Sequence, residues 1–393
     1  MMVSSQATRG SMVTTPTAEA DARNIHRDLH SEQGAVRGER PDRDRNPVIK
    51  VEDLAWLEFE KPDLDRAEKF AHDFGFTTVA RTPDSVSLRG ALAGSQCLVI
   101  RRGTESRFVA PVFRAADRAD LDRLARANDA IARPLTGPGG GAVLDLHDPS
   151  GSLLRVVAGI DDLSAQPLVA PLTINVSGSV LRTNAVQRPQ IAPAQVQRLG
   201  HVVLETTSFQ RSLDWYQHNL GLIVSDFLFF PGQRQRGPTM AFIRCDRGDA
   251  PSDHHTLAMH LGPSCRYIHS AYQVADLDAI AAGGRYLAEQ GYRHAWGIGR
   301  HIQGSQIFDY WRDPDRFMVE HFTDGDMFDS SVEAGWAPMT ASGLSQWGPP
   351  VTRDFLDATP SPRLVRELVR ALRDGNNEFD LRRLVGLLKV ATS

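Results

Sequence analysis

Cysteine is scarce in this chain: three in 393 residues, at positions 97, 245 and 265. An odd number at wide spacing excludes a disulfide scaffold and a paired-thiolate zinc site, and it points to a reducing cytoplasm as the expected location. Long apolar runs are missing too. The stretch Leu168 to Val176 is broken by polar residues and falls short of the ~20 residues that cross a bilayer, and the N-terminus has no apolar signal core. Nor does one sign of charge dominate. Lys and Arg number 44 against 48 Asp and Glu, a net charge of -4, so no basic field invites nucleic acid and no acidic block forms a solvating tail. Nucleic acid and membrane are set aside as partners.

What is present suffices for a large core. Hydrophobic residues make up 41% of the sequence, and the length suggests two to three domains. Residues 1–47, rich in Ser, Thr, Gly, Arg and Asp, have almost no periodic apolar positions and are expected to form a disordered or loosely pinned N-terminal arm. From Val48 the pattern changes to an alternating strand, Leu54 to Phe59, then a helix from about Pro62 to Phe74 that Gly75 ends. Short β-rich runs and a helix near Ala119 to Ala132 continue to residue 160. The glycine run Thr136 to Gly141 leads into a strand, not a helix, so it reads as a turn and not as a phosphate loop. Residues 166–196, with Pro167, Pro171, Pro189 and Pro193, read as an extended linker. Near the end, Ser361-Pro362 opens a helix with Leu364, Val365, Leu368, Val369 and Leu372 on one face; Phe379 to Val390 repeats the pattern. That pair is expected to pack on its own domain or on a neighbouring subunit.

The order of the early pieces recurs after about residue 197. Leu199 to Leu204 and the helix Ser212 to Asn219, closed by Gly221, echo Leu54 to Phe59 and the helix closed by Gly75. Tyr267 to Tyr272 followed by Ala275-Asp276 echoes Phe108 to Phe113 followed by Ala116-Asp117, and Asp313-Pro-Asp-Arg echoes Asp148-Pro-Ser-Gly. An internal duplication accounts for this, with a period far longer than that of solenoid repeats. Overlaying the halves sets His201 on Trp56, His269 on Ala110 and Glu320 on Arg155. The shared scaffold therefore does not explain two histidines and a glutamate that stand only in the second copy. Two imidazoles and a carboxylate among strand-like residues form the ligand set of a non-haem Fe(II) site with open positions, and His201, His269 and Glu320 are the candidate metal ligands.

The segments carrying these residues are Arg198-Leu-Gly-His-Val-Val-Leu-Glu205, Asp253-His-His-Thr-Leu-Ala258, Tyr267-Ile-His269 and His301 through Glu320. Together they resemble the catalytic half of the type I extradiol ring-cleavage dioxygenases of the vicinal oxygen chelate (glyoxalase/bleomycin resistance) superfamily, and the likeness runs over residues 48–350. It implies an α+β fold: two tandem vicinal oxygen chelate domains, each of paired βαβββ modules, plus a C-terminal helical extension. The non-catalytic domain would span 48–165, the linker 166–196, the catalytic domain 197–350 and the extension 351–393. The resemblance also implies Fe(II), or Mn(II) in its place, a catecholic substrate with O2, a role in the breakdown of aromatic compounds, and a homo-oligomer. His255 corresponds to the family's acid-base histidine. His301 and Tyr310, 19 and 10 residues before Glu320, match its substrate-binding histidine and tyrosine.

Some readings stay open. His254 adjoins His255, and adjacent strand residues face opposite ways, so only one of the two is expected to face the metal. Tyr310 and Glu320 differ by an even number, but the Asp313-Pro314 turn breaks any one-strand argument. His218, His260, His294 and His321 are read as surface or satisfied core residues and Trp215-Tyr216 as core. Phe227-Leu-Phe-Phe230, Met240 and Phe242, with the loop Gln233-Arg-Gln-Arg236, are read as an apolar pocket with a basic rim for a substituted or bicyclic catechol. The rivals are a 4-hydroxyphenylpyruvate dioxygenase-like enzyme acting on a 2-oxo acid, a glyoxalase-type isomerase and a ligand-sequestering protein. The His255, His301 and Tyr310 constellation points away from the first, and the asymmetry of the halves points away from the last.

Overall fold

The computed structural model describes residues 32–33, 39–136, 139–356 and 362–390. Its first elements are β1 (Glu32–Gln33), β2 (Val51–Lys61), α1 (Leu64–Phe74), β3 (Thr77–Thr82), β4 (Ser85–Arg89), β5 (Leu98–Arg102), β6 (Arg107–Ala115), α2 (Arg118–Ala127), β7 (Arg133–Pro134), β8 (Ala142–His147) and β9 (Leu153–Ala158). There follow β10 (Arg198–Thr206), α3 (Phe209–Leu220), β11 (Ile223–Phe229), β12 (Met240–Arg244), β13 (Ser252–Asp253), β14 (Leu257–Leu261), β15 (Arg266–Gln273) and α4 (Leu277–Glu289). The last are β16 (Arg293–His301), β17 (Ile307–Arg312), β18 (Met318–Thr323), β19 (Met327–Phe328), β20 (Gly335–Pro338), β21 (Ser345–Trp347), α5 (Pro362–Arg373) and α6 (Leu381–Val390).

Helix starts follow from capping. Asp63, Asp117 and Asp276 lie in extended backbone and accept from the N–H groups of Arg66, Asp120 and Ala279, starting α1, α2 and α4. Each satisfies a donor that the first turn leaves orphaned. Ser208, before α3, makes no such bond. There the Glu378 carboxylate reaches back from near the chain's end and accepts from Gln210 and Arg211 N–H at 2.7 and 3.1 Å. Gly75 ends α1 at φ 112°, and a Cβ there would also strike the Ala194 carbonyl oxygen at 1.6 Å; only glycine satisfies both demands.

The N-terminal sheet has the order β3-β4-β5-β2-β6-β9-β8-β7, and the C-terminal sheet β1-β20-β11-β12-β14-β10-β15-β18-β17-β16-β21. Without its outer strands β1, β20 and β21, the second order lies over the first strand for strand. Each centre is an antiparallel pair, β2 with β6 and β10 with β15, flanked by parallel neighbours. Even the turns correspond. Asp148 Oδ1 accepts from the N–H groups of Ser150 and Ser152, and Asp313 Oδ1 from those of Asp315 and Phe317. Each half is thus a pair of βαβββ modules, as the sequence led us to expect. A single apolar cluster joins them, with Leu57, Phe59 and Phe113 from one half and Leu213, Tyr216 and Phe227 from the other. Lys61, 4% exposed, adds an ion pair across the junction to Asp313.

The described part of the expected arm makes contacts with the second half: Glu39 pairs with Arg234, Arg40 with Asp214 and with the Gln210 carbonyl, and Val48 N–H bonds the His218 carbonyl. Charges on a folded surface fix a segment whose own composition could not. Residues 1–31 and 34–38 lie outside the described residues, as do Gly137, Pro138 and the expected cap Ser361. At the other end α6 seats against β11, where a Cβ on Gly386 would come within 2.7 Å of Phe230 Cβ. In α5 the expected apolar face is only partly covered, with Val365 and Val369 57% and 42% exposed. No helix among the described residues is long and apolar enough to cross a membrane.

Candidate metal centre

Register brings three side chains to one face at the middle of the C-terminal sheet. On β10 and β15, His201 pairs with Ala271 and Val203 with His269; on β15 and β18, Ala271 pairs with Glu320. Cross-strand partners share a face, and so do residues two apart. His201 Nε2 lies 3.4 Å from His269 Nε2 and 3.4 Å from Glu320 Oε2, and His269 Nε2 lies 3.5 Å from the same oxygen. A cation about 2 Å from nitrogen and oxygen donors reaches all three corners of a triangle that size. The carboxylate corner is otherwise poorly satisfied: both Glu320 oxygens are buried without a hydrogen-bond partner of good geometry. His201, His269 and Glu320 form a group suited to a metal ion.

Electrostatics agrees with that fit. Burial pushes the Glu320 carboxyl up to about 7, against the pull of the neighbouring His301 and of the Tyr310 hydroxyl. A buried carboxylate this poorly compensated gains from a bound cation. Burial also holds His201 down at about 3 and His269 well below its usual value. Both imidazoles are therefore kept in the neutral, lone-pair form that ligates metals.

Three further expected residues surround the triangle. The His255 ring lies 4.0 Å from that of His201, centroid to centroid. His301 Nε2 stands 4.0 Å from Glu320 Oε1 and 2.8 Å from the Tyr310 hydroxyl. Tyr310 pairs directly with Glu320 across the β17–β18 hairpin, so the turn that interrupts the strand is what puts them on one face. The His301 ring also bonds the Leu344 carbonyl through Nδ1 at 2.7 Å. That nitrogen must carry the hydrogen, which leaves Nε2 to accept from Tyr310.

The choice between His254 and His255 is resolved differently from the strand argument. Residues 254–256 lie between β13 and β14, outside any strand, so alternation does not govern them. The two rings stand in series, His255 against His201 and His254 behind it, with their Nδ1 atoms 3.0 Å apart. His254 Nε2 in turn lies 2.8 Å from Asp226 Oδ2. The sequence reading missed Asp226, a lone carboxylate in an apolar strand.

The expected pocket wall divides. Phe242 shares its register row with Asp226, Ala258, Val203 and His269 and so faces the site, whereas Phe227 joins the main core behind the sheet. The basic rim is also corrected: Arg234 pairs with Glu39 and Arg236 with Asp380, holding down both chain ends. Aromatic residues not singled out from sequence form the opposite wall. Trp296 stacks on Tyr310, Phe308 on His301, and Phe355 packs on both Trp296 and Tyr310. Ile268, Met318 and Phe355 belong both to this cluster and to a cleft of about 880 Å³, which none of the six site residues lines.

Comparison with known proteins accords with this geometry. The Glyoxalase/Bleomycin resistance protein/Dioxygenase superfamily matches residues 198–321. Metapyrocatechase 2 of Cupriavidus necator is 31% identical over 339 residues, 84% of this chain and 99% of that protein. The iron-dependent extradiol dioxygenase of Rhodococcus jostii (strain RHA1) is 24% identical over 321 residues, 76% of this chain and 97% of its own length. Two solved structures share the fold. The substrate complex of homoprotocatechuate 2,3-dioxygenase from Brevibacterium fuscum superposes with a TM-score of 0.65 at 17% identity, covering 81% of this chain and 95% of that one. The Mn(II)-bound glyoxalase from Novosphingobium aromaticivorans gives 0.64 at 23% identity, covering 80% and 95%. With a two-sheet fold, a buried His/His/Glu triangle and near full-length likeness to metapyrocatechase 2, the chain belongs to the extradiol dioxygenases of the Glyoxalase/Bleomycin resistance protein/Dioxygenase superfamily.

Proposed function

We propose that the protein uses Fe(II) to open the ring of a bulky or substituted catechol beside its two hydroxyls, with both atoms of O2 entering the product and no external reductant. One observation carries the reading. The buried triangle of His201, His269 and Glu320 lies among three more titratable side chains, His255, His301 and Tyr310, on one apolar-walled face. Those three ligands would hold the ion and leave coordination positions open. The bound ion supplies adjacent places for a catechol and O2 and a route for electrons between them.

The chain's own residues handle protons and position. His255, kept neutral by burial and by the nearby His201, takes a proton from the catechol. His301 and Tyr310 are bonded to each other while no substrate is bound; with a catechol in place, the Tyr310 hydroxyl turns its hydrogen from His301 Nε2 to a catechol oxygen and meets the charge that grows there. The wall of Trp296, Phe308 and Phe355 keeps water out and gives a flat surface to a second ring or bulky substituent.

Two broader expectations keep support. Three free cysteines suit a reducing cytoplasm. Leu168, Val169, Ile174, Val180 and Leu181 stand exposed along the segment between the halves, the kind of apolar surface that a second copy covers in a homo-oligomer.

The test is anaerobic loading with Fe(II), or Mn(II) in parallel, followed by O2 with catechol or 2,3-dihydroxybiphenyl. A yellow product with one O2 consumed, abolished by His201→Ala, is expected. Tight metal binding without O2 uptake across a catechol panel would overturn the reading.

A further inference from the structure

Behind the acid-base histidine lies a buried chain of three titratable groups that the mechanism has not yet used. Asp226 Oδ2 is 2.8 Å from His254 Nε2, and His254 Nδ1 is 3.0 Å from His255 Nδ1. All three residues are nearly sealed from solvent, at 2%, 1% and 3% exposure. An ionised carboxylate only accepts, so His254 donates through Nε2. An imidazole whose single hydrogen is so committed presents a bare Nδ1, which accepts from His255 Nδ1–H. The hydrogen of His255 is then fixed on the nitrogen facing His254, and its Nε2, across the ring, keeps a lone pair.

We infer that Asp226 and His254 are positioning residues that set the tautomer of His255, so that its Nε2 meets the catechol as a proton acceptor. The inference rests on the ring-opening reading above and deepens it.

Two observations separate this from ordinary core satisfaction. The first is the clamp on His254. Its N–H bonds the Asp326 carbonyl, its own carbonyl accepts from Ser225 Oγ at 2.6 Å, and Arg244 donates to that same Ser225 oxygen. Phe242 and Phe328 flank the ring, and a Cβ on Gly304 would stand 3.1 Å from its Nδ1. Such packing holds the ring plane, and the bonds to Asp226 and His255 set which nitrogen faces which partner. Stability alone does not require it, because well-packed apolar side chains replace a buried ionic group at little or no cost.

The second observation is the built-in comparison. By register, Leu57 pairs with Leu98 as Val202 pairs with Leu257, and Ala80 pairs with Ser87 as Asp226 pairs with Phe242. The N-terminal counterparts of Asp226, His254 and His255 are therefore Ala80, Ser95 and Gln96. The chain of three appears only in the half that carries the His/His/Glu triangle.

The experiment uses the metal-loaded, full-length protein with 4-nitrocatechol under anaerobic conditions, where absorbance distinguishes bound monoanion from dianion, together with catechol turnover and metal content. Wild type is expected to bind the probe as the dianion. Asp226→Asn allows an amide N–H to donate to His254, reversing the chain and placing the hydrogen on His255 Nε2. It should bind the probe as the monoanion, with metal content retained and kcat lowered by about 100-fold or more. His254→Gln, whose amide oxygen can still accept from His255, should keep the dianion; His254→Phe, which offers no acceptor, should lose it. Wild-type spectrum and kcat in Asp226→Asn would overturn the carboxylate's part, and equal behaviour of His254→Gln and His254→Phe would overturn that of His254. Should Asp226→Asn fail to fold, the His254 pair decides. If wild type itself binds no probe when loaded with metal, the ring-opening reading fails instead.

Discussion

Arg155 stands opposite Val112 as Glu320 stands opposite Ala271, so one position of two equivalent sheets holds a guanidinium in the first half and the carboxylate of the His/His/Glu triangle in the second. The arginine is not idle. It pairs with Glu58 and, at 2.9 Å, with Asp145, while the Trp56 indole donates to Glu58 at 3.2 Å. Trp56 and Asp145 occupy the places of His201 and Tyr310. An internal ion network thus fills the space that the C-terminal half keeps for a cation.

Removing Arg155 should cost stability without touching the metal. Glu58 is 3% exposed, and stripping a buried carboxylate of its partner costs about 3 kcal/mol. Denaturant unfolding of Arg155→Ala should show a loss of that order, with metal content unchanged.

Glu320→Gln should act in the opposite sense. The buried carboxyl is already pushed up to about 7 by desolvation, so its replacement should leave the metal-free protein as stable or more so. Metal affinity should fall by at least about 100-fold, the upper range seen for outer-sphere changes alone. Titration calorimetry and unfolding with and without metal separate the two effects.

Tyr310→Phe removes the hydroxyl hydrogen that a bound catechol draws away from His301 Nε2 while leaving the ring's stacking on Trp296 in place. Loss of a single preorganised donor near developing charge lowers kcat by about 100-fold. KM should change much less, which steady-state kinetics on the metal-loaded protein will show.

Asp53 gives a pH dependence. Burial, reinforced by the charge of Asp253, raises its carboxyl to about 6, above the ~3.9 of an unfolded chain. Below both values the group is protonated in either state. As pH rises between them the unfolded chain ionises first, so stability is lost across about pH 4 to 6 and stays lost above. Asp53→Asn should flatten that limb and add about 1–2 kcal/mol at pH 7, read by urea unfolding across the pH range.

How much the residues disclosed depended on whether the deciding interaction was local. The grouping of His201, His269 and Glu320 was legible because the duplication supplied a comparison, with Trp56, Ala110 and Arg155 in their places. Tyr310 needed the hairpin register, since its direct pairing with Glu320 crosses a turn. His254 and Asp226 were not legible together: 28 residues separate them, and nothing near Asp226 in an apolar strand marks it as a partner. The Leu344 carbonyl that orients His301 is backbone and leaves no trace in residue type. Glu39 and Arg40 looked disordered or loosely pinned because their partners, Arg234 and Asp214, lie far along the chain. Period gave the apolar face of α5 but not how little of Val365 and Val369 the fold would cover.

The Glu378 carboxylate that caps α3 has a consequence for the order of events during synthesis. A chain made from its N-terminus completes the eight-stranded sheet at Ala158, with all its strands in hand. The helix that follows β10 must wait, because its first-turn N–H groups find their acceptor 168 residues beyond Gln210. The half that folds first on the ribosome is therefore the one without the His/His/Glu triangle. It offers a finished apolar face to a second half whose closing contact comes from beyond its last strand.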